Sequence, residues 1–300
     1  MPMYYAFGLN IQSDLALPGL PLSDHAEPDV TIELADINKE GLEDPVDKRL
    51  YFQASPDKFW LHVPGIAWFQ VEEGKRIQVM PEENSDMQSV SLFLLGSCLG
   101  VILQQRQYLV MHANAIRFGD QCVIFAGPSG NGKSTLAAAF HQRGFEILAD
   151  DVSAINEKVE VMPSYPQMKL WHDAATKLDI DTKDLPRVRI QIEKYACPLE
   201  KGFCNKPLPL AAMYILGTHN RDEFLLEQMK GMEKFDPIKN NTYRMQYLEG
   251  LGLNGHHLQR AGQLSRQINV TRIIRPDTGF QLDKLVDVLL DDLQTNGIKV

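Results

Sequence analysis

The chain has 300 residues, 44% of them hydrophobic and 23% charged, with a formal net charge of -9. That length suits one large domain or two modest ones, with enough apolar material for a sizeable core. The acidic balance excludes a broad nucleic-acid footprint, which needs Lys and Arg clustered on one face; a local loop can still hold an anion.

The four cysteines, Cys98, Cys122, Cys197 and Cys204, match no metal spacing. Cys98 and Cys122 lie inside apolar runs as buried thiols. Cys197 and Cys204 could pair only in an oxidising compartment, and nothing signals secretion. MPMYYAFGLN carries neither a basic n-region nor an apolar h-region, so no signal peptide is expected. The most apolar run, Val90 to Leu103, falls short of the ~20 residues that span a bilayer and reads as a buried helix. The expectation is a soluble cytoplasmic protein that engages neither membrane nor nucleic acid; its oligomeric state cannot be read.

From Met1 to about Met80, short β-rich runs such as DVTIELAD, KFWLHVPG and IAWFQVEEG are broken by Gly, Pro and acidic residues. They predict an antiparallel sheet with Phe59, Trp60, Trp68 and Phe69 packed in its core. An apolar helix follows over about 85–107, then two neighbouring strands, QYLVMHANAIRF and QCVIFAG, around Gly119-Asp120. An Ala-rich helix is expected over Lys133 to Gln142, a strand over Phe145 to Leu148 and a hairpin in VSAINEKVEVMPSYP. MKLWHDAATKLDI reads as helix-prone, AAMYIL as a strand, 221–266 as mostly helical and VTRIIRP as a final strand. Leu282, Leu285, Val286, Leu289 and Leu293 give the closing helix its apolar stripe. The predicted organisation is a β-rich region over 1–84 and an α/β domain over 85–300.

GPSGNGKST fits G-x-x-x-x-G-K-[ST], with Gly127, Gly132, Lys133 and Ser134 at the defining positions. Glycines permit backbone angles closed to other residues, so successive N–H groups turn toward phosphate oxygens. The loop feeds a helix N-terminus, which favours anions. The whole stretch Gly127, Pro128, Ser129, Gly130, Asn131, Gly132, Lys133, Ser134 and Thr135 is the candidate nucleotide site. Lys133 can reach terminal phosphates, and the Ser134 hydroxyl can hold magnesium.

Asp150 and Asp151 end the strand one helix later. A β-α-β crossover puts the ends of both strands at the same sheet edge. One carboxylate can then complete a magnesium shell with Ser134 while its neighbour takes a proton from an attacking hydroxyl. A protein that only holds nucleotide needs the first carboxylate alone. His112, one strand upstream in MHANAI, lies near the same edge and is a candidate for contact with phosphate, metal or the acidic pair. His256 and His257 read as solvated in a Gly-flanked loop. Arg187, Arg189 and Lys194 form a basic patch that is either a further part of the site or solvated surface.

The ordered set MHANAI, GPSGNGKST and ILADD resembles the catalytic core of the HPr kinase/phosphorylase family, itself similar to the ATP-dependent phosphoenolpyruvate carboxykinases. The likeness is strong over roughly 109–156, and extends more weakly to SYPQMKLW and VTRIIRP. In length and in its β-rich first half the chain is most similar to short HPr-kinase-like proteins, which include kinases of lasso-peptide precursors. The resemblance implies a P-loop kinase core of the HPr kinase/carboxykinase type with a mixed sheet. It implies ATP held by Lys133 and the loop amides, Mg2+ held by Ser134 and Asp151, Asp150 as catalytic base, and His112 supporting the phosphate site. The Gly-rich segment downstream of the HPr enzyme's core is missing, as are a carboxykinase's substrate-binding arginines. These departures argue against HPr as substrate, phosphorolysis and decarboxylation.

The function expected is an ATP- and Mg2+-dependent kinase acting on a serine hydroxyl of a peptide or small protein. The alternatives are a nucleotide-binding regulatory module without transfer chemistry and a small-molecule kinase.

Overall fold

The computed structural model describes residues 1–279 and 281–300. Among the described residues, eight strands form the first sheet: β1 (Met3–Ala6), β2 (Leu9–Ser13), β3 (Val30–Leu34), β4 (Asp47–Lys48), β5 (Phe52–Ser55), β6 (Lys58–Val63), β7 (Ala67–Glu72) and β8 (Arg76–Pro81). Alternation makes them strands: in β7, Ala67, Phe69 and Val71 are buried while Trp68, Gln70 and Glu72 are not. The spatial order is β1-β2-β3-β8-β7-β6-β5-β4. Because β3 lies parallel to both β2 and β8, the sheet is mixed rather than antiparallel as expected. Phe59, Trp60 and Phe69 are buried, and Trp68 is half-buried against the His62 ring.

The apolar run is a rod. Helix α1 (Met87–Phe93), capped by the Asp86 carboxylate accepting from the Ser89 N–H at 2.7 Å, passes through a π-helical stretch, Leu94–Cys98, into α2 (Leu99–Gln105). Met87–Gln105 is long and apolar enough to cross a membrane by length and composition, and 67% of its most apolar window is buried. Its buried side shares one apolar cluster with Phe59, Phe69 and Val79 of the first sheet. The rod also seats Tyr243: a Cβ on Gly100 would lie 3.0 Å from the Tyr243 ring, and Gln104 Nε2 donates to the Tyr243 carbonyl at 2.8 Å.

The second sheet contains β9 (Leu109–Met111), β10 (Ala113–Phe118), β11 (Gln121–Ala126), β12 (Ile147–Ala149), β13 (Ser153–Ile155), β14 (Glu160–Met162), β17 (Leu208–His219), β18 (Leu225–Gln228) and β19 (Asn269–Pro276). Separately, β15 (Gln167–Trp171) and β16 (Lys194–Pro198) pair as a two-stranded ribbon. Strands β11, β17 and β19 are mutually parallel, and β10 runs antiparallel to β11 on one side and to β12 on the other. The carboxyl ends of β11, β12, β17 and β19 therefore share one edge. As anticipated, the loop strand and the acidic strand end together; β10 lies between them.

Helix α3 (Lys133–Gln142) buries Leu136, Ala137 and Phe140 and stops at Gly144, whose left-handed φ of 91° allows Phe145 N–H to bond back to the Phe140 carbonyl at 3.1 Å. Helices α4 (His172–Lys177), α5 (Phe235–Asn240), α6 (Asn254–Gln267) and α7 (Leu282–Thr295), with 3-10 turns at Gly231–Lys234 and Met245–Tyr247, complete the described elements. Two expectations change here. MKLW is strand rather than helix, because it pairs with 194–198. The segment 221–266 contains β18, because Leu225–Gln228 adds an antiparallel edge to β19. All four cysteines are buried free thiols.

Helix α7 closes the core around Phe125, Phe140 and Tyr214 with Leu285, Val286, Leu289 and Leu293, all buried. Leu289→Ala should cost about 2–5 kcal/mol, read as a lower urea midpoint at unchanged m. The exposed Gln294→Ala on the same helix should stay within about 0.5 kcal/mol of wild type.

Candidate active site

The loop after β11 is built on three left-handed glycines, Gly127 (φ 143°), Gly130 (φ 89°) and Gly132 (φ 87°). At Gly127 nothing larger fits, since a Cβ would lie 2.7 Å from the Leu216 carbonyl oxygen of β17. Asn131 Nδ2 donates to that same carbonyl at 2.9 Å, pinning the loop to the neighbouring strand. Lys133 opens α3 and folds back: its Nζ donates to the Gly127 and Pro128 carbonyls at 2.7 and 3.2 Å. Burial lowers its pKa, and Asp151 works against that shift.

Asp150 and Asp151 are adjacent in sequence and occupy different surroundings. The Asp150 carboxylate accepts from the Ser134 hydroxyl at 3.0 Å and from the Lys169 N–H at 2.6 Å. Burial, with the neighbouring charge of Asp151, pushes its pKa above the ordinary value. Asp151 has a left-handed φ of 73°. Its N–H donates to Asn114 Oδ1 at 3.2 Å, and its carbonyl accepts from His112 Nδ1 at 3.0 Å. Its carboxylate lies 3.4 Å from Lys169 Nζ and 3.3 Å from His112 Nδ1. Burial alone would raise the Asp151 pKa, but Lys169, Lys194 and His112 pull it down to about 2.

The sequence reading placed Asp151 with Ser134. The structure places Asp150 there, because the turn at Asp151 sends its side chain toward β15 and His112. His112 itself precedes β10 at the shared edge, as anticipated. Since a carbonyl only accepts, Nδ1 carries its hydrogen and Nε2 is left as the acceptor. Burial lowers the His112 pKa against the pull of Asp151, which favours the neutral ring. By contrast, His257 is not solvated: α6 begins before it and buries it with Nε2 2.7 Å from Thr242 Oγ1.

Four residues at the site escaped sequence reasoning. Lys169 is buried, and although burial opposes its charge, the carboxylates Asp151 and Asp150 help hold the ammonium above its ordinary pKa. Asn114 leaves Nδ2 buried and unpartnered among the described residues. Tyr243, its pKa raised to about 12 by burial and by Asp151, sits with its ring 5.9 Å from His112. Arg244 is left-handed (φ 50°), has no carboxylate within 4.0 Å among the described residues, and keeps Nε buried without a partner. Only SYPQMKLW, already noted as an extension of the site, gave a signal for Lys169. Of the basic patch, Lys194 acts on both aspartates, whereas Arg187 meets Glu193 at 3.8 Å and Arg189 lies over Phe93.

The loop stands between two clefts. One, of about 510 Å3, takes in Gly130, Gly132, Thr135, Phe224 and Arg275. The other, of about 660 Å3, takes in His112, Gly127, Ser129, Asp151, Tyr243 and Arg244. Of these two clefts, as the described residues line them, Asp151 faces the second.

No protein-family model matches the chain, and no curated protein matches it. Among solved structures, the HPr(Ser) kinase/phosphatase from Coxiella burnetii is similar over 63% of this chain and 93% of its own, at 14% identity and a TM-score of 0.30. That likeness is too remote to assign a role to any residue.

The ion pairs of Asp151 carry a pH signature. Its folded pKa of about 2 lies below the ordinary 3.8, so its contribution stabilises the fold above about pH 4 and is lost as pH falls toward 2. Thermal unfolding across that window should show a shallower acid loss for Asp151→Asn than for wild type. An unchanged slope would contradict the ion pairs.

Proposed function

We propose that the protein is an ATP- and Mg2+-dependent kinase that transfers the γ-phosphoryl group to a hydroxyl, a serine of a peptide or small protein such as a lasso-peptide precursor. The observation that supports this most is the separation of the two carboxylates. Asp150 faces the loop serine, and Asp151 faces the cleft on the far side of the loop. A protein that only senses nucleotide has no use for the second arrangement.

The donor set fits magnesium. Ser134 and Asp150 offer hard oxygen ligands 3.0 Å apart beside a phosphate loop. Magnesium is commonly bound through one or two carboxylates plus phosphates and water. Among the described residues no cluster of three or more His, Cys, Asp or Glu is arranged as a dedicated metal cage, and none is needed. When bound, the ion neutralises charge on the β- and γ-phosphates.

In this reading the roles first given to the two aspartates are exchanged. Asp150 and Ser134 hold the metal, and Asp151 is the base. The loop amides take the phosphates, and Lys133 leaves the Gly127 and Pro128 carbonyls for the terminal phosphate oxygens. Thr135, Phe224 and Arg275 line the cleft for the nucleoside end. An acceptor hydroxyl in the opposite cleft gives its proton to Asp151. Lys169 keeps that carboxylate ionised and aimed, and His112 fixes its backbone. Lys133 and Arg244 offset charge developing on the transferred group. The likeness of MHANAI, GPSGNGKST and ILADD to HPr kinase/phosphorylase cores supports the same chemistry.

Incubation with γ-labelled ATP, Mg2+ and serine peptides tests the proposal: label should enter peptide serine, and bound ATP with no label in any acceptor would favour a sensor. Asp151→Asn should lower kcat by about 10²–10⁴ while ATP affinity stays within about threefold. Near-wild-type transfer by that variant would remove Asp151 as base.

A further inference from the structure

The loop divides the site's positive charge between two sides. Lys133 Nζ rests on the Gly127 and Pro128 carbonyls, and those two residues line the cleft that Asp151 faces. On the opposite side, Gly130, Gly132 and Thr135 border the cleft that Arg275 lines. Arg275 stands on β19 two residues beyond Ile273, so both share the sheet face that packs Leu136 and Phe140 of α3. One step past the core, that face meets the start of the helix. A Cβ on Gly132 would lie 3.8 Å from Arg275 Nη2.

The Arg275 guanidinium is half-buried, and Nη1 donates to the Pro276 carbonyl at 3.0 Å. Among the described residues it has no carboxylate within 4.0 Å, although Asp173 and Asp277 line the same cleft. Arg272 on the same strand meets Glu227 at 3.3 Å, and Arg143 beyond the far end of α3 meets Asp283 at 3.1 Å. The chain has 39 Asp and Glu against 30 Lys and Arg, so carboxylates are not scarce. An arginine held off all of them, beside an anion-binding loop, is available to a ligand.

The transferred end of a phosphate chain on this loop faces Asp151, so its other end faces Arg275. We propose that Arg275 is a nucleotide-binding residue that grips the α-phosphate, the group joining the nucleoside to the phosphates on the loop. This rests on the nucleotide-binding half of the kinase reading. The planar fork supplies paired donors to two phosphate oxygens, which an ammonium cannot match. The grip separates a nucleotide from bare pyrophosphate, which fills the loop and stops short of the cleft.

Titration of wild type, Arg275→Gln and Arg275→Lys with ATP, ADP and pyrophosphate, each with Mg2+, tests it. Arg275→Gln should weaken ATP and ADP by about tenfold or more and pyrophosphate by no more than about threefold. Arg275→Lys should recover only part of the loss. Retained pyrophosphate binding shows that the loop is intact. In transfer assays the loss should appear in KM for ATP rather than in kcat. Unchanged nucleotide affinity, an equal loss of all three ligands, or a fall in kcat with KM unchanged overturns the α-phosphate grip. Wild type that binds neither ATP nor ADP overturns the grip and the nucleotide reading together. The expected binding pattern with no label in any acceptor leaves the grip standing and removes the transfer step.

Discussion

The arrangement depends on one backbone constraint, the left-handed turn at Asp151. In a regular strand, successive side chains point to opposite faces, and two adjacent carboxylates cannot both reach a loop at the strand's end. The turn instead leaves Asp150 on the Ser134 hydroxyl and swings Asp151 toward Lys169 and His112. A non-glycine residue there costs on the order of 1–2 kcal/mol. Asn114 and His112 hold it by taking its N–H and supplying a donor to its carbonyl. Of these two, His112 also lines the cleft, and Asn114 is buried behind it.

The rest of the fold serves that edge. Parallel strands β11, β17 and β19 end together, and β10 aligns β12 with them while starting directly after His112. The rod of α1 and α2 could form a self-sufficient hydrophobic element. Its glycines instead admit Tyr243 close against the helix, which places Tyr243 and Arg244 opposite Asp151. The first sheet and the α/β half therefore share a core cluster that also contains Val110, Val152 and Tyr243.

The local juxtaposition of the loop, the acidic pair and His112 was legible in the sequence, and long-range pairing was not. The phosphate loop, the acidic pair and His112 were readable because each depends on spacing within about 45 residues. The closing helix was readable from its stripe of Leu285, Val286, Leu289 and Leu293. Lys169, Tyr243 and Arg244 reach the site from strand and turn segments whose partners are distant, and no periodicity marks a buried lysine. MKLW looked helical because its apolar pattern is short, and pairing with 194–198 decided otherwise. The split between Asp150 and Asp151 could not be read at all, since it turns on a single φ angle.

The central claim is that Asp150 belongs to the metal and Asp151 to the acceptor. Manganese bound with ATP, followed by electron paramagnetic resonance, tests it most directly. The account predicts that Asp150→Asn and Ser134→Ala each weaken manganese binding by about tenfold or more, and that Asp151→Asn leaves it within about twofold. Loss of manganese in Asp151→Asn with retention in Asp150→Asn would contradict it.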